Sequence, residues 1–352
     1  MSTLLNKLTM LDGIPGNEQE VRDFMRQQAG TKAEITTDKL GSVILRKEGS
    51  DPEIKVMVAG HLDEIGFIVS EITKDGYLKF ISAGGWWGHV VLSQQFTVTT
   101  RTKKKIRGVV GSKPPHILTP DERKKVVEIN EMFLDIGVDS KKAAEALGIE
   151  IGNMITPYIE FQKLANKKYL LAKAFDNRVG IGVVLEVLEL LQNTDHPNVF
   201  YGVGTVMEEV GLRGAQTSSY LVDPDIGVSI DVTIATDYPG GSKEVCLGKG
   251  PCLMVYDSSM VGHVSLREHI MSIAEEKKIP FQLSYLNRGG TDAGRIHLVK
   301  AGCPSIALCI PSRYIHSHTS IIHQDDYDQT VRLVHELLKS LDRDTVRKIT
   351  YQ

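Results

Sequence analysis

From about residue 67 to residue 168 the sequence loses the alternation of helix and strand patterns found on either side. Short β-type runs at 67–72, 77–81 and 96–100 are separated by Gly/Pro turns and a basic hairpin from Lys103 to Arg107. One helical pattern, around 141–147, interrupts them. Closely spaced strands without crossover helices cannot build a parallel sheet. The segment therefore reads as a small β-rich module, barrel or sandwich, inserted into something else.

The host is α/β. Its opening helix pattern stops at the breaker Asp12-Gly13-Ile14-Pro15-Gly16. Asn17, three residues before Glu20, reads as a capping-box start for the next helix. Two short strands follow around Lys39-Leu40-Gly41, and an apolar strand at 54–59 delivers Gly60-His61-Leu62-Asp63 at its C-terminal end. Alternation resumes after the insertion. Strands at 169–174, 200–206, 226–230 and 305–309 lead into Asp176, Glu208-Glu209, Asp231 and Arg313-Tyr314-Ile315-His316 respectively. Further βα units and a terminal helix at 327–341 complete the pattern. The expected architecture is a mixed, largely parallel sheet flanked by helices, with residues 1–66 and 169–352 as one domain and 67–168 as the β-rich insertion.

Composition removes several function classes. The 352 residues carry 41 basic and 44 acidic side chains, a net charge of -3, so no nucleic-acid partner is expected. Aromatics are only 6%, which makes stacking platforms for bases or sugars scarce. No apolar run approaches the ~18 residues a membrane span needs, and Met1-Ser2-Thr3-Leu4-Leu5-Asn6-Lys7 has no leader-like pattern. The expectation is a cytoplasmic protein whose Cys246, Cys252, Cys303 and Cys309 are reduced, buried thiols outside any thiolate metal site.

Ligands gather where the strands of an open α/β sheet end. Here the strand ends carry His61, Asp63, Asp176, Glu208, Glu209, Asp231 and His316, an oxygen/nitrogen set suited to zinc, cobalt or manganese. Five ligands exceed the roughly three that one catalytic zinc takes from protein. A carboxylate shared by two cations about 3.5–4 Å apart accommodates them. Of two adjacent acids such as Glu208-Glu209, one can ligate while the other handles a proton. In His61-x-Asp63 the carboxylate can hold the second imidazole nitrogen. Singly, each signal has a plainer reading: a capped strand end, a solvated Glu-Glu pair, or a helix N-cap at Asp176. Their joint recurrence at successive strand ends carries the argument.

The segments Gly60-His61-Leu62-Asp63-Glu64-Ile65-Gly66, Lys173-Ala174-Phe175-Asp176-Asn177-Arg178, Glu208-Glu209-Val210-Gly211-Leu212-Arg213-Gly214-Ala215, Gly289-Gly290-Thr291-Asp292-Ala293-Gly294 and Arg313-Tyr314-Ile315-His316-Ser317 resemble those of the glutamyl (tetrahedral) aminopeptidase family. Some members of that family are labelled deblocking aminopeptidase, cellulase M or endoglucanase. The resemblance covers essentially the whole chain. It implies a zinc-peptidase-like fold with an inserted β-rich dimerisation domain, and assembly through dimers into a tetrahedral dodecamer. It also implies two divalent ions per subunit, zinc first, with cobalt or manganese as alternatives. His61, Asp176 and Asp231 would hold one ion, and Asp176, Glu209 and His316 the other. Glu208 would be the general base and Asp63 would orient His61. The implied reaction is hydrolysis of the N-terminal peptide bond of short peptides.

Two rivals follow from the same residues. A glycoside hydrolase would use Glu208 and Glu209 as its carboxyl pair, with Trp86-Trp87 as a sugar platform; a non-enzymatic scaffold would keep its metals for structure alone. Three residues are candidate substrate contacts. Arg288 could pair with an acidic side chain, although a surface or interface arginine is the favoured reading. Asp292 follows a glycine pair at a helix start, and His318 lies close to His316. Lys103 to Lys105 reads as a solvated hairpin tip, Arg123 to Lys125 as an exposed helix face, and His263, His297 and His323 as polar surface residues.

Overall fold

The computed structural model describes residues 2–351; Met1, where the leader reading begins, lies outside them, as does Gln352. Twelve strands form one mixed sheet. Its main path runs Glu34–Thr37, Val43–Lys47, Val199–Thr205, Lys55–His61, Ile226–Ile234, Ser305–Arg313, Ser320–His323, Tyr169–Ala172 and Gln162–Lys163. Cys252–Asp257 branches from Ser305–Arg313 and carries the edge pieces Met260–Val261 and Gln282–Tyr285. The four strands from Val199–Thr205 to Ser305–Arg313 are mutually parallel, so their C-terminal ends share one edge. Each is an almost wholly buried apolar run, as a strand covered on both faces must be.

The alternation of side chains divides the core. Val56 and Val58 pack with Leu5, Val179, Val183 and Val331, while Met57 and Ala59 face the other way and pack with Val203, Ala215, Val222 and Ile296. Close to the site the helix Phe175–Leu190 lies directly on the His61 strand. A Cβ at Gly60 would sit 2.8 Å from the Gly180 Cα. Two facing glycines thus bring the backbone that carries Asp176 onto the residue before His61.

Gly66–Ile72, Leu78–Ala83, Phe133–Asp135, Lys105–Gly111, Gln95–Thr99 and Met154–Pro157 close a six-stranded antiparallel barrel. It has its own core, including Phe67, Phe80, Phe96, Val98 and Leu134. The barrel is tied to the body by charge. Lys105 Nζ lies 2.7 Å from Asp12 Oδ2 and 2.9 Å from Glu20 Oε2, and Asp12 Oδ1 is 3.1 Å from Lys173 Nζ. Lys105 is therefore an anchor rather than part of a solvated tip.

Several sequence expectations are corrected in detail. Glu18, not Asn17, precedes the helix Gln19–Ala29, and Glu20 accepts the Asp12 N–H instead of closing a capping box. Asp231 is interior to its strand, which runs on to Ile234; the neighbouring pairing stops at Ser229–Ala59, so Asp231 still stands beyond the end of the His61 strand's ladder. The strand Ser320–His323 and the final helix Arg343–Thr350 were not foreseen. Cys246 is half-buried. His323 is a buried helix cap that accepts the Asp325 N–H.

Candidate metal centre

The structure brings six of the expected residues together at the shared strand edge. Three overlapping groups, His61/Asp176/Asp231, Asp176/Glu209/His316 and His61/Glu208/Glu209, each place one donor atom per residue within 4.8 Å of the others. Asp176 sits at the junction. Its Oδ1 is 3.0 Å from His61 Nε2, and its Oδ2 is 3.4 Å from His316 Nε2. His316 Nε2 is also 3.4 Å from Glu209 Oε2, and Glu208 Oε2 is 3.8 Å from His61 Nε2.

The far side of each imidazole is fixed. His61 Nδ1 donates to the Asp63 carbonyl at 3.0 Å, and His316 Nδ1 to the Gly85 carbonyl at 3.0 Å. Both Nε2 atoms are thereby aimed into the cluster, at the Asp176 carboxylate, where a bound cation would meet them. The Asp63 carboxylate faces His61, as expected, and has a second task besides. It stands 3.5 Å from His61 Nδ1, and it accepts the backbone N–H groups of Glu208 (3.1 Å) and Glu209 (3.0 Å). It therefore positions the two glutamates as much as the histidine. The backbone around the cluster is strained: Ala174, Met207, Leu212, Tyr314 and His316 all have positive φ, a conformation that L-residues adopt only when the surroundings demand it.

Burial dominates the electrostatics. It raises Glu208 well above the usual carboxyl range, helped by the charges of Asp231, Glu209 and Asp292. Burial and neighbouring Asp176 push Glu209 up to about 8. Asp231 is raised for the same reasons. Burial also opposes ionisation of Asp176, but hydrogen bonds and charge from His316 and His61 outweigh it and hold this carboxyl low. Among the described ion pairs these carboxylates meet only histidines. Glu209 Oε1 is buried with no hydrogen-bond partner. Surplus buried carboxylate with an orphaned oxygen is what a divalent cation would satisfy, and the oxygen/imidazole donor set suits one.

The remaining candidates fall differently. Asp292 is buried beside the cluster, with Oδ2 accepting from Thr205 Oγ1 at 2.5 Å and Oδ1 unpartnered. His318 is buried next to the cluster without joining any of the three donor groups, its Nε2 against the Gln95 carbonyl at 2.8 Å. Arg288 is exposed. Sequence reasoning missed the support beneath the site. Arg178, fully buried, donates to the carbonyls of Leu62, Leu8, Leu11 and Gly13, which fixes the turn between His61 and Asp63. The only signal for it was its place two residues after Asp176.

A parallel sheet edge that gathers two histidines and four carboxylates around shared donor positions is the architecture of a metal-dependent hydrolase. The sequence model of the M42 glutamyl aminopeptidase family matches residues 41–333. A glutamyl aminopeptidase of Lactococcus lactis is 35% identical over 351 residues, covering 97% of both chains. The crystal structure of a TET aminopeptidase from a marine sediment archaeon, Thaumarchaeota archaeon SCGC AB-539-E09, is 45% identical with a TM-score of 0.96, covering 99% of this chain and 98% of the other. The Pyrococcus horikoshii TET1 peptidase, described as able to assemble into a tetrahedron or a large octahedral shell, is 28% identical with a TM-score of 0.87, covering 97% and 99%. The chain belongs to the M42 glutamyl aminopeptidase family and is a metal-dependent aminopeptidase.

Proposed function

We propose that the enzyme removes the N-terminal residue of short peptides using two divalent cations, zinc in the first instance, one held by His61, Asp176 and Asp231 and the other by Asp176, Glu209 and His316. The observation that carries this reading is the split of the Asp176 carboxylate, one oxygen toward His61 and the other toward His316. When bound, the cation pair supplies Lewis acidity to the scissile carbonyl and acidifies the attacking water. Glu208 stands outside both Asp176 triads and within the cluster, so its carboxylate takes the proton from the attacking water and returns it to the leaving amine. Asp63 holds Glu208 and Glu209 in register through their backbone N–H groups. Arg178 and the Asp63 carbonyl keep the His61 ring from turning.

The test is removal and return of the cation. Dialysis against a chelator should abolish hydrolysis of aminoacyl anilides, and zinc, cobalt or manganese should restore it, with two ions per chain by elemental analysis. Glu208→Gln should retain both ions while kcat falls by roughly 10²–10⁴-fold. One ion per chain at saturation, or full kcat in a loaded Glu208→Gln enzyme, would overturn the assignment.

We further propose that the β-rich segment 67–168 is the dimerisation unit and that dimers build a tetrahedral dodecamer, as the assembly described for the P. horikoshii TET1 peptidase suggests. Light scattering reads this directly. Four free thiols, three of them buried, fit a reducing compartment and support a cytoplasmic location. Among the described residues no helix is long and apolar enough to cross a membrane.

A further inference from the structure

A cavity of about 830 Å³ opens beside the carboxylate cluster, between the barrel and the body. The segment 85–94 of the barrel module forms one wall and residues 314–319 the other. The walls are pinned where they meet, by the bond from His316 Nδ1 to the Gly85 carbonyl and by His318 Nε2 on the Gln95 carbonyl. His316 belongs both to the cavity lining and to the Asp176/Glu209/His316 group, so the cavity borders the candidate metal centre.

The two adjacent tryptophans are used differently. Trp86 is structural: its indole N–H donates to the Gly66 carbonyl at 3.1 Å, and its ring stacks on Phe67 at 4.8 Å. Trp87 is 61% exposed, and its ring meets that of His89 edge-on at 4.6 Å between centroids. Tyr314, on the opposite wall, is 57% exposed. Burying an indole is among the larger hydrophobic gains available to a side chain. A tryptophan left open on the rim of a cavity next to a reaction centre is suited to meeting a ligand. No aspartate, glutamate, lysine or arginine lines this cavity; its histidines are His89, His316 and His318, of which His316 belongs to the carboxylate cluster and His318 is taken up by the Gln95 carbonyl.

We propose that this cavity is the subsite for a large uncharged side chain of the substrate, aromatic or branched aliphatic, with Trp87 and Tyr314 as its specificity-determining walls. The proposal rests on the aminopeptidase reading and names its substrate class: peptides with a bulky apolar residue next to the scissile bond. It sets this chain apart from the glutamyl preference in the name of its L. lactis relative.

The test uses the cation-loaded enzyme and two substrate series. Xaa-p-nitroanilides vary the residue that bears the free amine, and Ala-Xaa dipeptides vary the residue after the scissile bond, with Ala, Leu, Phe, Glu and Lys at Xaa. In one series the wild type should favour Phe and Leu over Ala, Glu and Lys in kcat/KM. Trp87→Ala should lower the Phe-to-Ala ratio in that series by about 10-fold, and Trp87→Phe should recover most of it. Thermal melting of each variant checks the fold, which an exposed residue should leave intact. A flat wild-type profile in both series, or a Phe-to-Ala ratio unmoved by both Trp87→Ala and Tyr314→Ala, overturns the subsite while leaving the aminopeptidase reading in place. A loaded wild type that cleaves no substrate of either series overturns both.

Discussion

Asparagine at position 63 is the sharpest probe of how the site is held. The Asp63 carboxylate is fully buried and accepts two backbone N–H groups, from Glu208 into Oδ1 and from Glu209 into Oδ2. An amide of the same shape can accept only one of them, and its own NH₂ then faces the other donor. The change removes one charge-assisted hydrogen bond, about 1.5–3 kcal/mol, and leaves a buried donor unmatched at about 1–3 kcal/mol more. The loss falls on the segment that aims both glutamates, next to the left-handed residue Met207. Outer partners of metal ligands are typically worth about 10–100-fold in metal affinity. Asp63→Asn should therefore weaken cation binding by that factor in competition against a chromophoric chelator. In calorimetry without cations it should also melt several degrees lower. Wild-type cation affinity together with a wild-type melting temperature would refute the argument that this carboxylate sets the glutamates.

Gly60→Ala forces a Cβ against the Gly180 backbone, 2.7 Å from its carbonyl carbon, so the Asp176 helix must shift; a loss of about 1–3 kcal/mol with weakened cation binding is expected, and an unchanged melt would count against the close approach. Burial works against ionisation of Asp12, but Lys173 and Lys105 outweigh it and lower the pKa from an ordinary 3.8 to about 2. Because the folded value lies below the unfolded one, its contribution is complete above about pH 4 and is lost as pH falls through about 2. Denaturant unfolding should accordingly show the stability gap between wild type and Asp12→Asn shrinking by about 2 kcal/mol on acidification through that window, and a constant gap would contradict it. Arg288→Ala, at an exposed position, should leave the Glu-to-Leu ratio of kcat/KM unchanged; a selective loss for the Glu substrate would instead place its guanidinium on an acidic side chain.

The candidate ligands were legible because each sits where an apolar run gives way to a polar residue at the same end of the sheet. His61, Asp176, Glu208, Glu209 and His316 all have this signature. Asp231 shared it misleadingly: Val232-Thr233-Ile234 are strand formers, and the strand continues through them beside Ser305–Arg313. Local rules failed where a distant partner intervened. Asn17 looked like a cap, but Glu18 Oε1 takes the Gly16 N–H at 2.7 Å and also the Met207 N–H at 3.1 Å, a contact 189 positions away. Lys105 looked solvated because nothing near it in sequence is acidic, whereas Asp12 and Glu20 are distant in sequence, Glu20 by 85 positions, and meet it only in the fold. Ser320–His323 was hidden by its short polar-flanked sequence; it is a strand because it pairs with Tyr169–Ala172 on one side and Ser305–Arg313 on the other.

The same distances weigh the three functional readings against each other. Sugar hydrolysis by two carboxyls needs them about 5–5.5 Å or 6.5–9.5 Å apart, on opposite sides of a glycosidic bond. Here donor atoms of Glu208 and Glu209 lie within 4.8 Å of each other and of His61, on one side of a single cluster. Carboxylates so close repel unless positive charge lies among them, and the histidines are the only cationic side chains that reach them among the described ion pairs. A purely structural ion would close its coordination with protein ligands and leave no acid to spare. In the proposed assignment Glu208 is that spare acid: it belongs to neither triad that shares Asp176, yet it is buried, raised in pKa by that burial, and grouped with His61 and Glu209 at the same centre. A carboxyl placed there, where ligation does not consume it, is suited to carrying a proton between water and a leaving amine.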